Sequence, residues 1–91
     1  MEFEWDDDKA GSNFAKHGVL FVVAMHVFDD PDLVTIRSPY PEEVRWKTTG
    51  GVNGAVLTVV HTSRRSADGH YIRIISARPA SREERARYAK G

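Results

Sequence analysis

With 91 residues, 41% of them hydrophobic and 29% charged, the chain has room for one domain with one modest core and the make-up of a soluble globular protein. Cysteine is absent, which excludes disulfides and thiolate metal sites, and the longest apolar run, residues 19–25, is far too short to span a bilayer. With no basic-plus-apolar leader at its start, the chain is expected in the cytoplasm and away from membranes.

A net charge of zero conceals an asymmetry. Residues 1–34 hold eight acids against two lysines, and residues 35–91 hold eleven bases against five acids. Such a division suggests one surface for a polyanion and another for something basic; mutual neutralisation of the two halves in the fold is the plainer alternative.

Phe3-Glu4-Trp5 reads as a short first strand. Asp6 then caps a helix whose first turn carries Asp7 and Asp8, whose inner face is expected at Ala10 and Phe14, and whose end is marked by Lys16, His17 and Gly18. Phe21, Ala24, Met25 and Phe28 predict a second amphipathic helix, stopped by Asp29-Asp30-Pro31. Strands follow over 33–37 and 43–49, then a Gly-rich connection over 50–54 and a third strand over 55–62. The segment 63–69 is expected to turn that strand back into the next, Ile72-Arg73-Ile74-Ile75-Ser76-Ala77-Arg78. A capping box, Ser81-x-x-Glu84, opens a last, basic helix with little to bury, predicted to be loosely docked.

The Ile72–Arg78 strand organises the rest. Simple alternation places Ile72, Ile74, Ser76 and Arg78 on one face and Tyr71, Arg73, Ile75 and Ala77 on the other. Two arginines on one central strand either pair with carboxylates near the sheet ends or face an anion. The elements together describe an α+β domain spanning 1–91, with a short N-terminal strand and two helices packed on a small antiparallel sheet and a basic C-terminal helix. One sheet face is then left for a ligand.

The four histidines show no metal-ligand spacing, no phosphate-binding loop precedes a helix, and no serine nucleophile motif occurs, so neither metal nor cofactor is expected. What remains for chemistry is His61, at the end of a strand and able by residue type to move a proton near neutral pH, together with the arginines. Arginine forks suit phosphate oxygens, and Trp46 or Tyr71 could stack an unpaired base. These parts are compatible with metal-free RNA cleavage, and equally with a non-catalytic module that binds RNA or protein.

Several segments, taken in order, carry a resemblance: Phe3-Glu4-Trp5-Asp6, Asn13-x-x-Lys16-His17-Gly18, Val27-Phe28-Asp29-Asp30-Pro31, Glu43-x-Arg45-Trp46, Val59-Val60-His61-Thr62 and Arg73-Ile74-Ile75-Ser76-Ala77-Arg78. With a basic last helix holding Glu84 and Tyr88, the chain resembles the BrnT toxins of type II toxin–antitoxin systems. The resemblance implies a RelE-like fold and an endoribonuclease that arrests translation. It also implies a cognate BrnA-type antitoxin with a ribbon-helix-helix region, which alone contacts operator DNA, and assemblies holding two toxin copies. The family's active-surface positions map onto Arg78 and His61, with Arg73 close by. Pro79 departs from the pattern where many relatives carry a base, as does the long 63–70 turn, whose Arg64 and Arg65 offer compensation. The expected catalytic set is therefore His61, Arg73 and Arg78, and the expected RNA contacts are Arg45, Trp46, Lys47, Arg64, Arg65, Tyr71, Arg82 and Arg85.

Overall fold

In the computed structural model, which describes residues 2–91, the chain runs β1 (Glu2–Glu4), α1 (Asp7–His17) and α2 (Phe21–Ala24), the last continuing as a 3₁₀ turn (Met25–Asp29). It proceeds through β2 (Val34–Ser38), β3 (Arg45–Val52), β4 (Ala55–Ser66), β5 (Gly69–Pro79) and α3 (Arg82–Lys90). The architecture is α+β, with strand order β1-β5-β4-β3-β2. Strands β2 to β5 form an antiparallel meander, whereas β1 lies parallel to β5 at the outer edge. The sheet is therefore mixed, which corrects the antiparallel expectation. No hairpin joins β1 to β5, so nothing in the chain forces that pair to be antiparallel.

Asp6 caps α1 by accepting the N–H groups of Asp8 at 2.8 Å and Lys9 at 3.4 Å, and Gly18 closes it through an N–H bond to the Phe14 carbonyl. The inner face differs from the expected one: Phe14 is half exposed, while the buried residue is Asn13. Its amide accepts from the Ala77 N–H at 3.1 Å and donates to the Ala77 carbonyl at 2.7 Å and the Val19 carbonyl at 3.0 Å. Pairing with β1 ends at Arg73, so Asn13 supplies Ala77 with the partners a neighbouring strand would have given.

Beyond α1, Phe21 and Ala24 of the expected stripe are buried and Met25 and Phe28 pack partly buried against the core, while the tightening to a 3₁₀ turn also buries Val27. Phe21, Ala24 and Val27 pack with Val19, Leu57, Val59, Ile74 and Ala77 to form the core, and Trp5 meets Phe21 edge-on at 5.9 Å. The turn comes so close to β3 that a Cβ on Gly50 would stand 3.0 Å from the Val27 carbonyl oxygen. Only a bare backbone fits there.

The β3–β4 and β4–β5 hairpins are tighter than the sequence suggests. The first turn is Asn53-Gly54 alone, with φ of 50° and 84°, the two-residue type that matches strand twist. The expected 63–69 turn is mostly strand, because β4 extends to Ser66 and β5 resumes at Gly69. The register is thereby set: Thr58 opposes Arg78, His61 opposes Ile74, Thr62 opposes Arg73 and Arg64 opposes Tyr71. A bulge leaves Ile75 unopposed, since Val60 pairs with Ser76 and His61 with Ile74. This extra residue shifts the alternation of β5. Ile72, Ile74 and Ala77 all reach the core side, and Tyr71, Arg73, Ser76 and Arg78 share the opposite face.

Helices α1 and α2 cover one face of the sheet, and α3 crosses one end of the other. Buried Glu84 accepts from the Thr58 hydroxyl at 3.0 Å, and the Tyr88 hydroxyl donates to Asp30 at 2.5 Å. The same Asp30 carboxylate accepts the Gly51 N–H at 2.7 Å. The predicted loose docking of α3 is corrected accordingly: its grip is polar, so an apolar count misses it.

Candidate nucleic-acid interface

The face left open by α3 carries three rows of side chains set by strand register. Lys47, Val60 and Ser76 form the middle row, Thr49, Thr58 and Arg78 the row beside α3, and Thr62, Arg73 and Glu4 the row beyond. The bulge brings Arg73 and Arg78 onto this one surface, on either side of Ser76. Sequence alternation had placed them apart.

Carboxylates hold most of the guanidinium groups here. Arg78 bonds Glu84 with both ends of its fork, at 2.6 and 2.8 Å, and Glu84 sits nearly out of water. The Arg78 bonds, followed by the Ser81 N–H and the Thr58 hydroxyl, pull the Glu84 carboxyl down to about 2. Arg64 bonds Glu4 at 2.9 and 2.7 Å and lies over the Tyr71 ring, while Arg73 reaches the same carboxylate at 3.5 Å. Glu4 is held below the usual carboxylate range, chiefly by the Arg64 hydrogen bonds. Arg45 is paired with Glu43 at 2.8 Å and stacks 3.7 Å above Tyr40. Among the described residues, Lys47 enters no ion pair and Nε of Arg78 finds no acceptor.

His61 is not part of this surface. It points to the helix side, 5% exposed, its ring edge-on to Phe28 at 5.0 Å. Its Nε2 shares a 2.8 Å hydrogen bond with the Thr48 hydroxyl, and its buried Nδ1 has no partner. Burial among these groups lowers its pKa from 6.5 to about 4, so the ring is neutral at physiological pH. Trp46, directly opposite His61, shares that side of the sheet. The structure thus brings Arg73, Arg78, Lys47, Arg45, Arg64 and Tyr71 onto one face and separates His61 and Trp46 from them. Arg65 is exposed at the tip of the β4–β5 hairpin, and Arg82 and Arg85 are exposed on α3.

Among the described residues, no three or more histidine, cysteine or acidic side chains gather as a metal site, and no helix is long and apolar enough to cross a membrane. A sequence model of the family described as ribonuclease toxin, BrnT, of type II toxin–antitoxin system matches residues 5–84. The chain belongs to the BrnT family. Among curated proteins, none matches it. Membership makes the chain a ribonuclease-type toxin, with RNA as the class of substrate and a protein antitoxin as partner.

Against this BrnT assignment, two residues of the face, Glu84 and Glu4, and one at the β5 edge, Asn13, were invisible as site elements in the sequence. Glu84 was legible as half of a capping box and as part of the family pattern, and Glu4 and Asn13 only as letters in that pattern. No spacing rule connects Glu4 to Arg64 or Asn13 to Ala77, because those contacts exist only once β1 and α1 are laid against β5.

Proposed function

We propose that this BrnT-family protein is a metal-independent endoribonuclease that inhibits translation, and that it holds RNA on the open face of the sheet. The observation that carries the reading is the gathering of Lys47, Arg73 and Arg78 around Ser76 in a chain of a ribonuclease-toxin family. In this reading a 2′-hydroxyl gives its proton to solvent water and attacks the adjacent phosphorus, and the 5′-oxygen leaves and takes a proton from water, giving a 2′,3′-cyclic phosphate and a 5′-hydroxyl end. The cations stabilise the charge that builds on the phosphoryl oxygens. Arg78, fixed by Glu84, offers Nε as a preorganised donor; Arg73 and Lys47 approach from the other rows. Arg45, Arg64 and Tyr71 extend the track, with Arg65, Arg82 and Arg85 at its ends. His61 and Trp46, expected to transfer a proton and stack a base, serve in this proposal as packing residues of the helix side.

The wider assembly belongs to the same proposal: a RelE-like toxin in the cytoplasm, neutralised by a BrnA-type ribbon-helix-helix antitoxin that alone contacts operator DNA, in a complex with two toxin copies. Incubating purified protein with RNA in EDTA-containing buffer tests the activity. Cleavage to cyclic-phosphate ends is expected, and loss of cleavage restored by a divalent ion would overturn the metal-free mechanism. The neutralised arginines and the buried His61 favour one second reading, a module that binds RNA without cutting it. That reading predicts a gel shift with intact RNA.

A further inference from the structure

Lys9, Ser12, Asn13, Lys16 and His17 recur along α1 at i, i+3, i+4, i+7 and i+8, a single helical stripe. In an ordinary amphipathic helix such a stripe is apolar and faces the core. Here its middle residue, buried Asn13, is tied to the Ala77 backbone, so the stripe lies along the outer edge of β5 where β1 has already ended. Between helix and strand is a cleft of about 300 Å³, lined by this stripe together with Ile75 and Ser76. It has no acidic lining residue, and none of Lys9, Lys16 and His17 enters an ion pair among the described residues. The contrast with the open face, where Glu4, Glu43 and Glu84 occupy most guanidinium groups, is sharp.

We propose that this cleft is a phosphate subsite for single-stranded RNA, a proposal that rests on RNA being the ligand of the open face. Lys9 and Lys16, two helical turns apart, flank one phosphate, and the Ser12 and Ser76 hydroxyls and the His17 ring complete its hydrogen bonding. Ser76 belongs both to the cleft and to the middle row of the open face, beside Val60 and Lys47. A strand leaving the cleft therefore passes directly onto the surface where Arg73 and Arg78 stand. The bulge at Ile75 creates this junction, since without it Ser76 would face the core.

Two measurements on the full chain and on the double variant Lys9→Gln/Lys16→Gln decide the matter, with melting temperature as the folding control. Inorganic pyrophosphate titrated into wild-type protein at low salt should shift the NMR signals of Ser12, His17 and Ser76, and the shifts should vanish in the variant. Binding of a short oligoribonucleotide should weaken in the variant, and the slope of log affinity against log salt should become shallower by about 0.7, as expected for one lost phosphate contact to a single strand. An absent or diffuse pyrophosphate response, or an unchanged salt slope in a folded variant, overturns the subsite and leaves the open-face reading standing. Wild-type protein that binds no RNA at all overturns the open-face reading and this assignment with it.

Discussion

The Arg78 guanidinium grips the Glu84 carboxylate through both ends of its fork, Nη1 to Oε1 at 2.6 Å and Nη2 to Oε2 at 2.8 Å. One pair thus joins β5 to α3 at the margin of the proposed RNA surface, and the arginine has a structural duty whatever else it does. Glu84→Gln removes the charge but keeps the side-chain shape, which separates the two duties. If Arg78 acts on phosphate, Glu84→Gln lowers stability and loosens the fork, yet cleavage per folded molecule falls less than in the Arg78 variants, because the Gln carbonyl still accepts from one end of it. Arg78→Lys should lose cleavage by about 10²–10³-fold, because a lysine keeps the charge without the planar donor set. Removing Arg78 altogether leaves Glu84 buried and unpaired. The stability cost should fall at or below the low end of the roughly 3–5 kcal/mol expected of a fully buried pair, since Arg78 keeps part of its side chain in water. Denaturant melts alongside cleavage rates normalised to folded protein check this, and equal loss of both in all three variants would leave Arg78 as a structural residue only.

His61 makes the fold sensitive to acid. Its pKa is 6.5 when exposed and about 4 in the fold, so between those values the unfolded chain binds a proton that the folded chain refuses. Stability is therefore present above pH 6.5 and is lost as pH falls toward 4, by on the order of 3 kcal/mol at most. Glu84 acts in the same direction lower down: its pKa is 4.5 unfolded and about 2 folded, so its contribution disappears as pH falls through that interval. Melting temperature should drop from pH 7 to pH 4, and His61→Gln should flatten the profile above pH 4.5. A profile unchanged by that substitution would contradict the buried neutral ring.

The register of β4 against β5 explains much of what was and was not legible in the chain. The helix caps at Asp6 and Gly18, the five strands and the last helix's capping box all follow from local chemistry, and each appears in the fold. The faces of β5 do not, because a bulge is a relation between two strands and has no signature within either. Alternation alone put Arg73 and Arg78 on opposite sides. One unopposed residue, Ile75, brings them together, while the tight turn after Ser66 sets Arg73 opposite Thr62 and so on the other side of the sheet from His61. The charge asymmetry, too, was legible as a sum but not as a pattern: Glu4 from the acidic half closes on Arg64 and Arg73 from the basic half.

Asn13 is expected to be among the costliest polar residues to remove. Asn13→Ala would strand the buried N–H and carbonyl of Ala77 together with the Val19 carbonyl. Leaving a buried polar group unsatisfied costs about 1–3 kcal/mol, so a loss of roughly 2–4 kcal/mol is expected after partial relaxation. Chemical denaturation measures it; a loss below 1 kcal/mol, on the scale of an ordinary exposed hydrogen bond, would show that water replaces the amide at this edge.

The last helix provides the final test, because composition and geometry point opposite ways. Its sequence is charged nearly throughout, and composition alone predicts that α3 can be deleted at little cost. In the fold, Glu84 closes on Thr58 and Arg78 at one end, and Tyr88 closes on Asp30 at the other. Asp30 is also the acceptor for the Gly51 N–H, and the Tyr88 hydroxyl is the largest cause of its lowered carboxyl pKa. Truncation after Ser81 therefore removes the lid from Thr58 and leaves Arg78 without its counter-charge, so the shortened chain should lose cooperative unfolding. Tyr88→Phe deletes a single hydroxyl and should cost about 1 kcal/mol, the net worth of one hydrogen bond, with a little more because its acceptor is charged. Thermal melts of both proteins, with circular dichroism to follow the sheet, give the answer. A truncated chain that melts sharply near the full-length temperature would mean that α3 is held by nothing the sheet needs, and that its arginines serve RNA alone.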